Sequence, residues 1–145
     1  MSYELLFLRS RDVGSGAESV HMYRMRSMPE RMLQARSELA SMSHCFQYKE
    51  TIVNIVCDDV YLKVAEDAIF EARRIIESKI SEDPFFSITY EPYPVMDEDH
   101  ELIKRMCDAS QSAGVGPFAG VAGAVAVYAV ERMVEAGAEK AIGEN

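Results

Sequence analysis

Apolar residues recur at intervals of three and four from Val64 to Ile80: Val64, Ala65, Ala68, Ile69, Ala72, Ile75, Ile76 and Ile80. On a helix of about 3.6 residues per turn they share one face. Glu66, Asp67, Glu71, Arg73, Arg74 and Glu77 fall largely outside it. The pattern predicts an amphipathic helix, opened by Asp58-Asp59 as an N-cap signal and ended near Pro84. Upstream, Phe46–Cys57 holds Thr51, Ile52, Val53, Ile55 and Val56, β-branched residues that favour a strand. Both faces of its second half are largely apolar, which predicts a central strand. Phe86, Ile88 and Tyr90 alternate with Ser87 and Thr89, a half-buried strand pattern terminated by Pro92 and Pro94.

Leu102, Ile103, Met106, Cys107 and Ser110 predict the next helix. Asp97-Glu98-Asp99 place negative charge at its start, where the helix dipole favours it, and Gly114 closes it. A further helix starts at Pro117 and runs to about Ala136, capped by Gly137; Lys140–Asn145 begins another strand. In the N-terminal part, Tyr3–Leu8 reads as a short strand and Arg9–Ser19, with Gly14-Ser15-Gly16, as a loop or flexible arm. Ser27-Met28-Pro29-Glu30 has the form of a capping box, leading a helix to about Ala40. Together these elements predict an α+β fold, a mixed or antiparallel sheet packed with helices. Residues 1–45 form an N-terminal strand, loop and helix, and residues 46–145 the body. The strand at Lys140–Asn145 has no sheet continuation that the pattern reveals. Because open edges and apolar faces need cover, a homo-oligomer or a chain cut from a longer one is expected.

A chain of 145 residues with 48% hydrophobic content can bury one core. Its net charge of −9 opposes binding to nucleic acid. Cys45, Cys57 and Cys107 form no CxxC pair and no zinc spacing, and they read as reduced thiols in a cytosolic protein. The N-terminus, Met1-Ser2-Tyr3-Glu4, lacks the basic stretch of a signal peptide. No charge occurs from Ala109 to Val130, close to the roughly 20 residues that span a membrane. The run contains four glycines and Pro117, and its apolar residues are mostly alanine and valine. It reads as a buried helix with no membrane role.

Candidate chemistry centres on Gly114-Val115-Gly116-Pro117-Phe118-Ala119-Gly120. Proline at a first helical position is preorganised, and the flanking glycines allow a backbone or a phosphate to come close. The free N–H groups of a helix start suit an anion. Gly116, Gly120 and Ala124 also recur every four residues, as do Ala119 and Gly123, which makes a smooth face for close packing. Ligand contact and packing can coexist there. On the packing reading, Gly120→Leu is severe. Lys49 and Thr51 flank Glu50 at the entrance of the predicted strand: Lys49 can meet a phosphate and Thr51 a ligand, or they form a cross-strand charge pair and an ordinary strand residue. The acids around His100 are explained by a helix start rather than a metal site, and His21 and His44 are isolated.

Two strings carry a resemblance. Tyr48-Lys49-Glu50-Thr51, and more specifically the stretch from Arg105 through Asn145 with Gly114–Ala124 and Ile142-Gly143-Glu144-Asn145, resemble an ApbE-like family common in methanogens and sulfate reducers. It covers about 100 residues; residues 1–45 match loosely. Phe118 and Gly120 depart from the methionine and alanine usual there. The resemblance implies an α+β fold with two related halves, of which this chain would be the N-terminal one. It is similar to flavin transferases that use FAD and magnesium to attach FMN to a protein threonine. Their metal-binding Asp and Thr lie in the other half, so no catalytic or metal residue carries over, and the isolated chain is expected to be inactive. The ligand-binding residues expected are Gly116, Pro117, Phe118, Ala119 and Gly120, with Lys49 and Thr51, and with Glu144 and Asn145 at the lip. Two other readings are an accessory role in anaerobic sulfur and homocysteine metabolism and a non-catalytic oligomerising fragment.

Overall fold

A computed structural model describes residues 4–11, 18–24, 43–48 and 51–144. The helix predicted for Ser27–Ala40, Lys49 and Asn145 lie outside them. The described elements are β1 (Glu4–Arg11), β2 (Glu18–Arg24), β3 (Ser43–Tyr48), β4 (Thr51–Val56), α1 (Asp59–Glu82), α2 (Phe85–Ile88), α3 (Glu101–Ala113), a 3-10 helix (Pro117–Gly120), α4 (Val121–Glu135) and β5 (Lys140–Glu144). The fold is α+β. The strands form one sheet in the order β2-β1-β5-β4-β3, and every pairing is antiparallel.

The expectation for Lys140–Asn145 is corrected here. β5 lies in the middle of the sheet, with Leu6 opposite Ile142 on one side and Val56 opposite Ile142 on the other. Its partners are distant in sequence, so local pattern could not reveal them. Phe46–Cys57 is also not one strand. The chain reverses between Tyr48 and Thr51, which face each other across the β3–β4 ladder. The connecting Lys49-Glu50 lacks the glycine or asparagine that marks a short hairpin turn, which is why the apolar run reads as continuous. β4 is central as expected, between β5 and β3, with Val53, Ile55 and Val56 buried. The segment read as a loop, Arg9–Ser19, contributes its ends to β1 and β2.

α1 buries Ala65, Ala68, Ile69, Ala72 and Ile76, five of the eight positions on its predicted face. Asp58 sits at the N-cap but makes no side-chain cap bond. α4 packs along α1 and across β5, β1 and β4. Its Val125, Ala126, Ala129, Val130 and Met133 are buried. Gly143 of β5 permits this crossing, since a Cβ there would lie 3.1 Å from the Ala126 carbonyl oxygen. By length and composition Pro117–Glu135 matches a membrane span; one face of it is buried within the domain.

The strand predicted at Phe86–Tyr90 is instead the single helical turn α2. Asp83 Oδ1 accepts the Phe85 N–H at 3.0 Å, and the Ser87 hydroxyl donates to the Pro84 carbonyl at 3.0 Å. This local capping at Asp83-Pro84 competes successfully with an alternating pattern that has no sheet to join. Phe86 is buried, while Ile88 and Tyr90 are 67% and 92% exposed, so the three share no buried face.

The acids Asp97-Glu98-Asp99 directly precede α3, as expected, and His100 is its N-cap, with Nδ1 accepting the Leu102 N–H at 3.1 Å. Asp99 is buried against Lys79 at 2.5 Å and accepts the Met96 N–H at 3.0 Å. Asp83 accepts the Tyr93 hydroxyl at 2.5 Å. These contacts pin the Thr89–Asp99 segment to the end of α1. Burial raises the Cys107 thiol, and burial followed by Asp58 and Asp59 pushes Cys57 up to about 11. Both buried cysteines therefore stay neutral thiols, poor nucleophiles that pack as small hydrophobes.

Candidate functional site

The glycine-rich segment joins α3 to α4, and each of its glycines does something different. Gly114 has φ +68° and closes α3: the Val115 N–H reaches the Ser110 carbonyl at 3.0 Å and the Gly114 N–H reaches Gln111 at 3.3 Å. That is the left-handed closure for which glycine is suited. Gly116 is a close-approach residue. A Cβ built there would lie 1.9 Å from the Thr89 carbonyl oxygen. Pro117 follows as the first residue of the 3-10 helix and is buried. Phe118 turns into the core, where its ring meets Phe86 edge-on at 6.3 Å.

Beyond Phe118 the segment opens. Nothing lies within 4 Å of a Cβ built at Gly120 or Gly123. The expectation that Gly120 is closely packed is corrected: it is exposed. A repeat of small residues every four positions fixes which side of a helix they occupy, but not whether anything covers that side.

Their side of α4 faces a trench of about 630 Å³. α3 supplies one wall through Leu102, Met106, Ala109, Ser110 and Ala113. Val115 and Gly116 close one end, and Ala119, Gly120, Gly123, Ala124 and Val127 line the opposite wall. Arg105 and Glu131 bridge the polar end, where Arg105 Nη1 meets both Glu131 oxygens at 2.6 Å. Glu101 stands 3.4 Å from Arg105 Nε. Glu131 first, and Glu101 after it, hold the Arg105 guanidinium above its ordinary value, so it stays charged. The Ser110 hydroxyl donates to the Cys107 carbonyl at 2.8 Å, leaving its lone pairs to accept.

Of the residues singled out in the sequence, Gly116, Ala119 and Gly120 line this trench, while Pro117 and Phe118 turn inward. Thr51 is not part of it. It is buried at the start of β4 and accepts from Arg73 Nη1 at 2.5 Å. Glu144 ends β5, opposite Glu4 and Asn54. Sequence reading missed the walls formed by Ala109, Ala113 and Val127 and the Arg105–Glu131 bridge. The uncharged run Ala109–Val130 was the available signal: it covers outward positions on two helices, where charge is normally found.

Small apolar residues, a volume within the roughly 300–1,000 Å³ range of small-molecule sites, and one ion pair at the rim make this a candidate small-molecule site. Among the described residues no three His, Cys, Asp or Glu side chains converge on a point where a metal would sit.

The fold and trench thus define an α+β domain with an apolar site between two helices. The sequence pattern of the family described as "AbpE bacteria" matches residues 31–145, and the chain belongs to that family. It is 50% identical over 101 residues to a UPF0280 protein of Archaeoglobus fulgidus, an alignment covering 69% of this chain and 42% of the relative. It is 45% identical over 105 residues to a UPF0280 protein of Methanococcoides burtonii, covering 72% and 44%. A UPF0280 protein of Methanocella arvoryzae is 41% identical over 100 residues, covering 69% and 41%. The chain thus spans about two-fifths of the length of the curated relatives it matches.

Proposed function

We propose that the domain binds a flavin- or nucleotide-type ligand, with the planar heteroaromatic ring held in the trench between α3 and α4. The observation that carries this reading is the trench itself: about 630 Å³, walled mostly by alanine, glycine and valine with Leu102 and Met106 of α3, and beginning at Gly116–Gly120. Small side chains let a flat ring approach the helix backbones closely, and the apolar lining favours its removal from water. The polar end is closed by Arg105 with Glu131 and Glu101, so the trench offers a ligand its apolar walls rather than a free positive charge. The resemblance to FAD-using transferases points to the same ligand class. Magnesium is no part of the proposal for these residues, and no chemical step is assigned to them.

The test is a fluorescence titration of FAD and FMN with the protein and with two variants, Gly123→Leu and Ala109→Leu. Both substitutions place a side chain in the trench. Quenching by the unsubstituted protein, with at least about tenfold weaker binding by both variants at unchanged melting temperature, is the expected result. No quenching, or equal quenching by all three proteins, rules the reading out.

A further inference from the structure

Ser110 breaks a pattern on α3. Leu102, Met106 and Ser110 are spaced by four, so they share one stripe of the helix, and all three are buried and line the trench. Two are apolar, as a buried stripe requires; the third carries a hydroxyl and is 4% exposed. A buried hydroxyl is costly unless its bonding capacity is used. It has one proton to give and lone pairs that accept. The proton is committed, since Ser110 Oγ donates to the Cys107 carbonyl at 2.8 Å. Toward the trench, Ser110 therefore offers an acceptor and no donor. Ser112 makes the same kind of bond, to the Asp108 carbonyl at 2.9 Å, but it is exposed, so water can satisfy its lone pairs.

The polar end of the trench narrows the ligand further. Arg105 faces two carboxylates, Glu131 at 2.6 Å and Glu101 at 3.4 Å. One cation against two anions leaves that end net negative, in a chain of net charge −9, so a phosphate is not drawn there. We propose that the trench selects an uncharged planar ring with an N–H on its edge, and that Ser110 reads this donor. The proposal rests on the trench being the ligand site, and it narrows the ligand to one recognised by its ring and not by its phosphate. The imide N–H of a flavin ring has this chemistry. With that edge at Ser110, the imide donates to Oγ, and Oγ donates in turn to the Cys107 carbonyl, so the buried hydroxyl is satisfied. The phosphate tail of FMN stays in solvent. A ring edge that only accepts would leave the Ser110 lone pairs unpaired, which is how a buried polar group rejects an analogue.

Riboflavin isotopically enriched at its imide nitrogen is the probe. With the protein added, its imide proton is expected to move downfield in the NMR spectrum, the signature of a bond to an acceptor. Riboflavin and FMN should bind within about threefold of each other. Ser110→Ala should weaken riboflavin by about three- to tenfold, the loss of one hydrogen bond, and return the imide proton upfield with an unchanged circular dichroism spectrum. Ser112→Ala should alter neither the affinity nor the shift. Riboflavin that binds with its imide proton unmoved, or with a shift that survives Ser110→Ala, overturns the role of Ser110 and leaves the trench as the ligand site. FMN at least about tenfold tighter than riboflavin overturns recognition by the ring alone. Failure of both riboflavin and FMN to bind removes the trench reading and this proposal with it.

Discussion

Gly116 and Gly120 belong to one motif, four residues apart, and the structure uses them in opposite ways. At Gly116 a Cβ would overlap the Thr89 carbonyl at 1.9 Å; at Gly120 it would meet nothing within 4 Å. The first glycine is a joint, where the α3–α4 connection seats on the segment after α2. The second, with Gly123, is a trench wall. A glycine in a recurring pattern therefore carries two meanings that only its neighbours separate. One removes bulk so that the protein can close on itself, and the other removes bulk and leaves space for something else.

The joint depends on the segment that carries Thr89 being held in place, and Lys79 does much of that holding. The side chains of Lys79 and Asp99 are 11% and 4% exposed. Lys79→Met leaves the buried Asp99 without its cation, and removing one partner of a buried pair costs about 3–5 kcal/mol. This is the largest loss expected, measurable as a shifted denaturant midpoint. Gly116→Ala comes next. Backbone rather than a flexible side chain opposes the added methyl, so the cost should reach the upper end of the 1–3 kcal/mol typical of overpacking, about 3 kcal/mol. A melting temperature within a degree of the unsubstituted protein would show that the joint yields and that the contrast with Gly120 is false.

A smaller effect sharpens the same region. Asp83 holds the Tyr93 phenol above its ordinary 10.0, and Asp99 holds the Lys79 ammonium above its ordinary 10.5. Both folded values are raised, so these contributions are intact below about pH 10 and are lost as pH rises through the raised values. Tyr93→Phe should lower the melting temperature modestly at neutral pH. The gap from the unsubstituted protein should close as pH rises above about 10. A gap constant from neutral to alkaline pH would show that the Tyr93–Asp83 bond contributes nothing. Smallest of all is Gly120→Leu, expected within about 0.5 kcal/mol of neutral, as for surface substitutions generally. A severe loss would mean that the trench wall is packed after all.

What the sequence disclosed, and what it hid, follows the same division. α1 was legible because its apolar face is a local property at helical spacing, and the buried second half of β4 was legible from its β-branched run. The Gly114 closure was legible because a left-handed residue after a helix is a one-residue requirement. β5 was misjudged because its partners lie at Glu4–Leu8 and Asn54–Val56, and no local pattern records a pairing so remote. Phe86–Tyr90 alternates like a strand, yet Asp83 and Pro84 cap it into a helical turn. Asp99 was legible as an acid before α3, but its pairing with Lys79 was hidden because that partner is twenty residues away. For the site, the motif placed four of the trench residues, Val115, Gly116, Ala119 and Gly120, and Gly123 was seen as part of the repeat. That the repeat faces open space depends on which residues α3 sets across from it, a tertiary arrangement that no local pattern records.

The central claim is that the open half of the glycine segment, and not the closed half, receives a ligand. Amide chemical shifts test it most directly, since glycine amides resonate apart from the rest and Gly116, Gly120 and Gly123 report on the two halves separately. On titration with FMN, the account predicts saturable shifts at Gly120, Gly123 and Val127, with small changes at Thr51 and along β3. Spectra that stay unchanged at saturating FMN, or shifts centred on β3 and α1 with none at Gly120 and Gly123, would contradict it.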